Sequence, residues 1–493
     1  MNSKTAIVIG AGLGGLAASC YLAKDGYKVT VFEKNSDIGG RASVVEQDGF
    51  RFDMGPSWYW MPDIFEKFFN DFGKKSSDYY KLIRTDPSYR VYWGKDDKLD
   101  MPVDLNELFK IFEELEPGSS LKLQKIMDEG KEMLEIALSK FLYRNYNSIL
   151  DLANPELIVK GLKLKVFKSL QSLINSNFKN ERLRQLCTWH SLFLGATPEN
   201  LPSLYSFMLY VDFKVGTWYP EKGIFELPKA MYSLAKELGV EFKFNAPVTK
   251  INVENGVAKS VLVNNQDMVA DYIVVNADYQ FAETRLLDEQ WQTYKQKYWE
   301  KTTVAPSSLL YYIGFNKKLK NVIHHNYYFC KDWSGHFDTL FKNPDLPPQD
   351  PAFYFNVASV TDSSMAPAGK DGMFILIPVA SNLKEIDQKR EEIFNNTIKK
   401  IEEITEQELT NSIVTKRFIS QKDQIELYNS YKGTCFGLAQ TLFQTASFRP
   451  KNKSDKVSNL YYCGHFTHPG IGMPMVIISG YVVSELIRKN GNR

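Results

Sequence analysis

The sequence predicts an α/β fold: a Rossmann-like dinucleotide-binding domain, a mixed-sheet second domain and a helical, membrane-facing cap. Three observations predict it. The chain opens on a strand, a glycine-rich loop, a helix and a second strand, the βαβ unit that binds nucleotides. Near its other end, a second glycine-rich turn separates a strand from an apolar helix. Between the two, short apolar strands alternate with a long helical stretch that carries an excess of basic residues.

The elements follow in order. Thr5–Ile9 is an unbroken apolar run bounded by glycine, the pattern of a strand buried on both faces. Gly10–Gly15 forms the loop. From Leu16 to Lys24 the sequence predicts a helix, since Leu13, Leu16, Ala17, Cys20 and Tyr21 recur on one face. Gly26 stops it, and Lys28–Glu33 is the second strand. Tyr89–Trp93 and Met101–Val103 read as strands flanking a turn at Gly94–Asp97. Residues 105–208 read as mainly helical. Leu227–Leu238 follows as a helix, with extended segments at Glu241–Phe244, Val248–Val253, Ala258–Val263 and Tyr272–Val275. Residues 306–315 and 371–379 are further strands, 383–403 a charged, exposed helix, and Pro344–Pro351 a surface loop. The chain leaves the nucleotide domain and returns to it, so that domain is expected from 1–75, 222–280 and 430–493. The second domain then comprises 76–221 and 281–429, with the cap at about 105–215. A chain of 493 residues accommodates such a division.

Gly10-Ala-Gly12-Leu-Gly14-Gly15 follows a strand and opens a helix. Gly10 permits the tight turn, Gly12 lets backbone approach a pyrophosphate, and Gly15 permits close helix–strand packing, with the phosphates at the helix N-terminus. Glu33 stands where a carboxylate accepts hydrogen bonds from ribose hydroxyls. Gly39-Gly40-Arg41 adds a flexible turn and a guanidinium for a second phosphate, and Gly55-Pro56-Ser57 a small-residue turn against a flat ring. At the other end, Gly464 closes a strand, and Thr467-His468-Pro-Gly470-Ile-Gly472-Met473-Pro474 leads into a helix near Met475. That helix N-terminus would face the electron-rich edge of a reduced isoalloxazine. Together these segments select FAD. No second complete GxGxxG accompanies them, which argues against an NADPH site.

On these segments the chain resembles the bacterial-type carotenoid desaturases of the phytoene desaturase family, within the flavin amine oxidase superfamily. The resemblance also rests on Asn276-Ala-Asp278, His324-His325, Ser359-Val-Thr-Asp362 with Ala366-Pro367, and Phe448-Arg-Pro450. It implies that Lys34, Val248, Asn276 and Asp278 join the FAD contacts. It implies a lipophilic substrate, phytoene or a later carotene, monocyclic and hydroxylated carotenoids included, in which C–C single bonds become trans double bonds. The flavin itself carries that chemistry, so no catalytic side chain is named, and the electron acceptor is oxygen or quinone. The chain departs from the family pattern at Lys222-Gly223, Lys451-Asn-Lys453, His465 and Phe466. A flavin amine oxidase and a non-catalytic isoprenoid-binding escort protein of the same fold are the competing readings.

Charge and composition narrow the partners. A net charge of +2 gives no support for nucleic-acid binding. The six histidines lack the acid or cysteine company of a metal site, and no GxSxG elbow is present. Five scattered cysteines fit a reducing, cytoplasmic location. Val457–Ser484 lacks charged residues, but its glycines and prolines argue for strand, turn and helix rather than a membrane span. Residues 140–184 hold nine Lys or Arg against three acids, interleaved with apolar residues, a pattern suited to peripheral attachment at an anionic membrane.

Overall fold

The computed structural model describes residues 3–145, 168–342, 350–383, 386–445 and 448–491. Most of the basic segment, Lys160, Lys163 and Lys165 included, and most of the loop at 344–351 therefore lie outside the described residues.

Five parallel strands form the nucleotide sheet in the order Leu460–Tyr462, Tyr272–Val275, Thr5–Ile9, Lys28–Phe32, Glu241–Lys243. Val8, Val31, Ile273, Val274 and Val275 are at most 1% exposed, as expected where helices cover both faces of a parallel sheet. A three-stranded meander, Val248–Glu254, Val257–Val263 and Gln266–Val269, packs beside it.

A second, seven-stranded sheet runs Ile413–Ile419, Ser307–Phe315, Asp371–Val379, Phe353–Asn356, His325–Tyr328, Tyr89–Gly94, Asp97–Met101. It is mixed: His325–Tyr328 pairs in parallel with Tyr89–Gly94, and the other neighbours are antiparallel. Helices Leu105–Leu115, Ser119–Ile136, Leu170–Asn177 and Glu181–Thr188 pack into one apolar cluster with residues of this sheet.

Several boundaries differ from expectation for local reasons. The first helix starts at Leu13, not Leu16, because Gly12 is its N-cap and Gly14 and Gly15 are already helical. The hairpin's second strand is Asp97–Met101, not Met101–Val103: Gly94 pairs with Asp97, leaving a two-residue turn. The charged helix is Ile386–Thr405, and it is amphipathic rather than wholly exposed, with Phe394, Ile398, Ile401 and Ile404 buried under the larger sheet. The last helix, Met473–Gly491, begins two residues early, since Pro474 in the first turn lacks only an N–H that would have no helical partner.

That last helix seats directly on the first. A Cβ on Gly480 would come within 2.7 Å of Gly14 O and Ala18 N. Among the described residues, no helix is long and apolar enough to cross a membrane.

One buried acid makes stability pH-dependent. Glu283 is 0% exposed, accepting from the Tyr462 hydroxyl at 2.5 Å and the Tyr294 N–H at 2.7 Å. Burial pushes its carboxyl up to about 7. Its contribution is fully present below the unfolded carboxyl range and is lost as pH rises through 7. Wild type should therefore lose about 3 kcal/mol between pH 4.5 and 8 that Glu283→Gln does not lose. Urea midpoints of both proteins at pH 5 and pH 8 check this; parallel shifts would disprove it.

Candidate functional site

A cavity of about 1620 Å³ runs from the glycine loop into the space above the larger sheet. A pocket for one small ligand spans roughly 300–1,000 Å³, so this volume has room for a dinucleotide and a second, elongated molecule. Of the residues singled out in sequence, Gly10, Gly12, Gly14, Glu33, Lys34, Gly40, Arg41, Gly55, Pro56, Ser57, Val248, Asn276, Asp278, Gly464, His468, Gly472, Met473 and Pro474 line it. Gly15 and Thr467 do not.

The local geometry explains both exceptions. A Cβ on Gly15 would stand 2.1 Å from Gly10 O, so Gly15 permits the close turn and faces away from the cavity. Thr467 is buried in its loop, its hydroxyl donating to Gly464 O at 3.0 Å. Asn276 sits under the whole glycine turn. A Cβ on Gly14 would meet its Oδ1 at 2.5 Å, and one on Gly12 would meet its Nδ2 at 3.0 Å. Gly12 is thus the glycine whose free side faces the cavity.

Polar groups converge at this end. Glu33 is 6% exposed, and its carboxylate accepts from Ala11 N–H at 2.7 Å and Asn35 N–H at 2.8 Å, which aims it along the loop. Helix Leu13–Lys24 has no side-chain N-cap, so its first N–H groups are available to an anion. Arg41 makes no ion pair among the described residues. It donates to Ser430 Oγ at 3.1 Å and Thr434 O at 3.2 Å and lies 5.0 Å over the Tyr428 ring. A cavity-lining guanidinium held by neutral partners keeps its charge for a phosphate. Asp278 accepts from Tyr431 N–H at 3.0 Å, and burial raises its carboxyl to about 6. The residues present therefore fit a dinucleotide.

The loop before the last helix is held by a buried arginine. Arg449, 3% exposed, donates to Thr467 O at 3.0 Å, Gln444 O at 3.0 Å, Gln440 Oε1 at 2.9 Å and His465 O. Desolvation pushes its guanidinium down to about 10. Gly464, Gly470 and Gly472 have φ of +107°, +134° and +105°, a left-handed backbone open to glycine, which lets the loop fold back. The Phe448-Arg-Pro450 motif thus serves the loop's shape. His468 reaches across to the carbonyl of Phe141 at 3.2 Å, tying the loop to the helical layer.

Sequence reasoning missed the other half of the cavity. Trp58, Trp60, Trp189, Phe193, Tyr327 and Tyr354 form an aromatic wall. Trp58 stacks on His325 at 4.2 Å, and Trp189 on His190 at 4.3 Å. His190 Nε2 lies 3.0 Å from Asp212 Oδ2, which also accepts from the Tyr89 hydroxyl at 2.9 Å. The i, i+2 spacing of Tyr327 and Phe329, at and just beyond the end of strand His325–Tyr328, was an available signal. Trp58 and Trp60 share that spacing, whereas Trp189 comes from a distant segment and carries no such signal. Among the described lining residues the only carboxylates are Glu33 and Asp278, both at the glycine-loop end.

Residues 13–488 match the family of flavin containing amine oxidoreductases. The chain belongs to that family. Among these oxidoreductases it falls with the carotenoid desaturases. It is 39% identical to the carotenoid 3,4-desaturase of Haloarcula japonica over 99% of this chain and 98% of the relative. It is 34% identical to the zeta-carotene-forming phytoene desaturase of Myxococcus xanthus, over 97% and 93%. With the 4,4'-diapophytoene desaturase of Staphylococcus haemolyticus it shares 31%, over 97% of each. In fold it is similar to an oxidoreductase from Methanosarcina mazei, with TM-score 0.67, 18% identity and coverage of 98% and 100%. It is also similar to a putrescine oxidase bound to putrescine, with TM-score 0.61, 13% identity and coverage of 100% and 99%. Like the rest of the family, this chain is a flavin-dependent oxidoreductase, and its cofactor is FAD.

Proposed function

We propose that the protein is a carotenoid desaturase acting on CH–CH groups of a long polyene to give trans double bonds. The observation that carries this reading is the single cavity that joins a dinucleotide-shaped end to an aromatic, carboxylate-free end. A polyene calls for apolar wall and dry surroundings, which this end supplies.

In this reading Gly10, Gly12, Gly14 and the helix start hold the pyrophosphate, with Arg41 and Gly40 on its far side. Glu33 and Lys34 meet the ribose end. Val248, Asn276 and Asp278 flank the loop. Gly55-Pro56-Ser57 and Gly464–Pro474, Thr467 and His468 included, frame the isoalloxazine. FAD, when bound, supplies a two-electron acceptor for the hydrogen leaving an allylic carbon. The chain's own residues orient the polyene against the ring and exclude water, which can supply much of the rate. The flavin domain comprises 1–75, 222–280 and 430–493, and the substrate domain 76–221 and 281–429. Its cap at about 105–215, with the basic segment 140–184, would rest on the cytoplasmic side of an anionic membrane, where substrate resides. Oxygen or a quinone would reoxidise the flavin.

Phytoene is the default substrate. The higher similarity to a 3,4-desaturase than to phytoene desaturases favours a later carotenoid, oxidised near its end. Lipid-dispersed carotenoids incubated with holoenzyme and an acceptor should lose two hydrogens per step, and absorption should move to longer wavelength. Holoenzyme that leaves every acyclic and monocyclic carotenoid intact yet oxidises an amine would overturn the reading.

A further inference from the structure

Two imidazoles have no role in the fold or in the nucleotide end of the cavity. His324 and His325 are 3% and 0% exposed, at the start of strand His325–Tyr328. Both nitrogens of His324 and Nε2 of His325 have no hydrogen-bond partner among the described residues. A buried polar atom left this way costs about 1–3 kcal/mol, whereas apolar side chains of the same shape would cost nothing. Such orphaned groups call for a functional explanation.

The remaining nitrogen points the way. His325 Nδ1 lies 2.6 Å from the Tyr354 hydroxyl and 3.5 Å from Asn356 Nδ2. Tyr354 lines the cavity together with Ser57, the end of the turn placed against the flavin ring. On the other side, the His324 ring lies 4.2 Å from the His325 ring and 4.4 Å from that of Tyr219. The Asp362 carboxylate acts on His324 electrostatically. Asp362 sits just beneath exposed Ser363 and Ser364, accepting from Lys222 N–H at 2.5 Å, Ser364 N–H at 2.9 Å and Ser364 Oγ at 2.7 Å. The other carboxyl nearby, Asp53, accepts from the Tyr219 hydroxyl at 2.7 Å. Tyr354, His325 and His324 therefore adjoin one another inward from the cavity wall, and Asp362 acts on the last of them from beneath the surface.

We propose that Tyr354, His325, His324 and Asp362 form a relay that carries the proton released in desaturation from the cavity to solvent. The inference rests on the desaturase reading. Forming one C=C removes two hydrogens. One leaves with its bonding pair, taken up by the two-electron acceptor. The other leaves as a proton, and its C–H pair becomes the new π bond. That proton arrives on the Tyr354 oxygen as the phenolic proton passes to His325 Nδ1. Water molecules bridge His325 Nε2 to His324 and His324 to Asp362, so the proton moves on through both rings and Asp362 passes one on to solvent, the rings then returning to their resting tautomers. Weak bases suffice, because a polyene that has lost hydride is a strong carbon acid. Burial holds His324 down to about 3 and His325 well below the usual imidazole range, which keeps both neutral at rest. Tyr354 is the group that meets substrate; the other three act through it.

Tyr354→Phe keeps the ring and removes only the hydroxyl. Flavin content and KM for the polyene should hold while kcat falls roughly 100-fold or more. Asp362→Asn should lower kcat and displace the pH profile with flavin affinity unchanged. In flavin-free protein labelled with 15N-histidine, His325 should be the Nε2–H tautomer, and its Nδ1 resonance should shift in Tyr354→Phe. An Nδ1–H tautomer in wild type, or undiminished kcat in Tyr354→Phe, overturns the relay. Wild-type holoenzyme inert to every polyene would overturn the desaturase reading instead, and the tautomer would then decide the relay alone.

Discussion

Gly12→Val should yield a folded protein that no longer retains flavin. A Cβ at this position meets only Asn276 Nδ2, at 3.0 Å, so the protein itself can adjust; the rest of the side chain must project into the cavity where the pyrophosphate would lie. Losing two charge-assisted hydrogen bonds there costs about 3–6 kcal/mol, roughly a hundred- to ten-thousand-fold in affinity. Glu33→Ala should be milder, about 1–3 kcal/mol, and part of that would come from the Ala11 and Asn35 N–H groups it orders. Gly15→Ala supplies the contrast. Its methyl would collide with Gly10 O, so it should lower the urea midpoint as well as the flavin content. Flavin titration and unfolding on the three purified variants separate the two effects. Full occupancy in Gly12→Val would mean that the dinucleotide does not cross this glycine.

Arg449→Met should release flavin for a different reason. The arginine is buried without a carboxylate, and its donors satisfy the carbonyls of Thr467, Gln444 and His465. Methionine fills the space but leaves three buried acceptors open, each at about 1–3 kcal/mol, so a loss of about 3–9 kcal/mol is expected. Arg449→Lys should recover little, since one ammonium cannot span three carbonyls set around a planar fork. The readouts are the unfolding midpoint and the flavin dissociation constant. If both match wild type in Arg449→Met, the loop is held by its glycines and the last helix rather than by this side chain.

The sequence was informative where chemistry repeats locally. Thr5–Ile9, Tyr272–Val275 and the glycine turn each carry their pattern within a few consecutive residues, and each was located almost to the residue. The helix start at Leu13 was misplaced because glycine reads as a loop former, whereas here Gly14 and Gly15 are helical so that Asn276, some 260 positions later, can sit beneath them. The aromatic wall was illegible for a related reason. Trp58, Trp189 and Tyr354 come from three distant segments, and only the tertiary fold makes them neighbours. His324-His325 was visible as a motif, but its meaning depends on Tyr354 and Asp362, which lie across the sheet and at its edge.

The seating of Gly480 on Gly14 and Ala18 has a consequence for how this chain is made. The βαβ unit at Thr5–Phe32 is synthesised well before Leu460–Tyr462, the edge strand of its sheet, and before the helix Met473–Gly491 that seats on it. Until they arrive, Tyr272–Val275 presents an open, apolar strand edge. The nascent protein must therefore hold a sticky half-sheet while the residues between Val275 and Leu460 are made. The cofactor pocket closes only once that strand and helix have docked, so FAD supply in the cell would act as a late folding ligand, rescuing incompletely closed chains from aggregation.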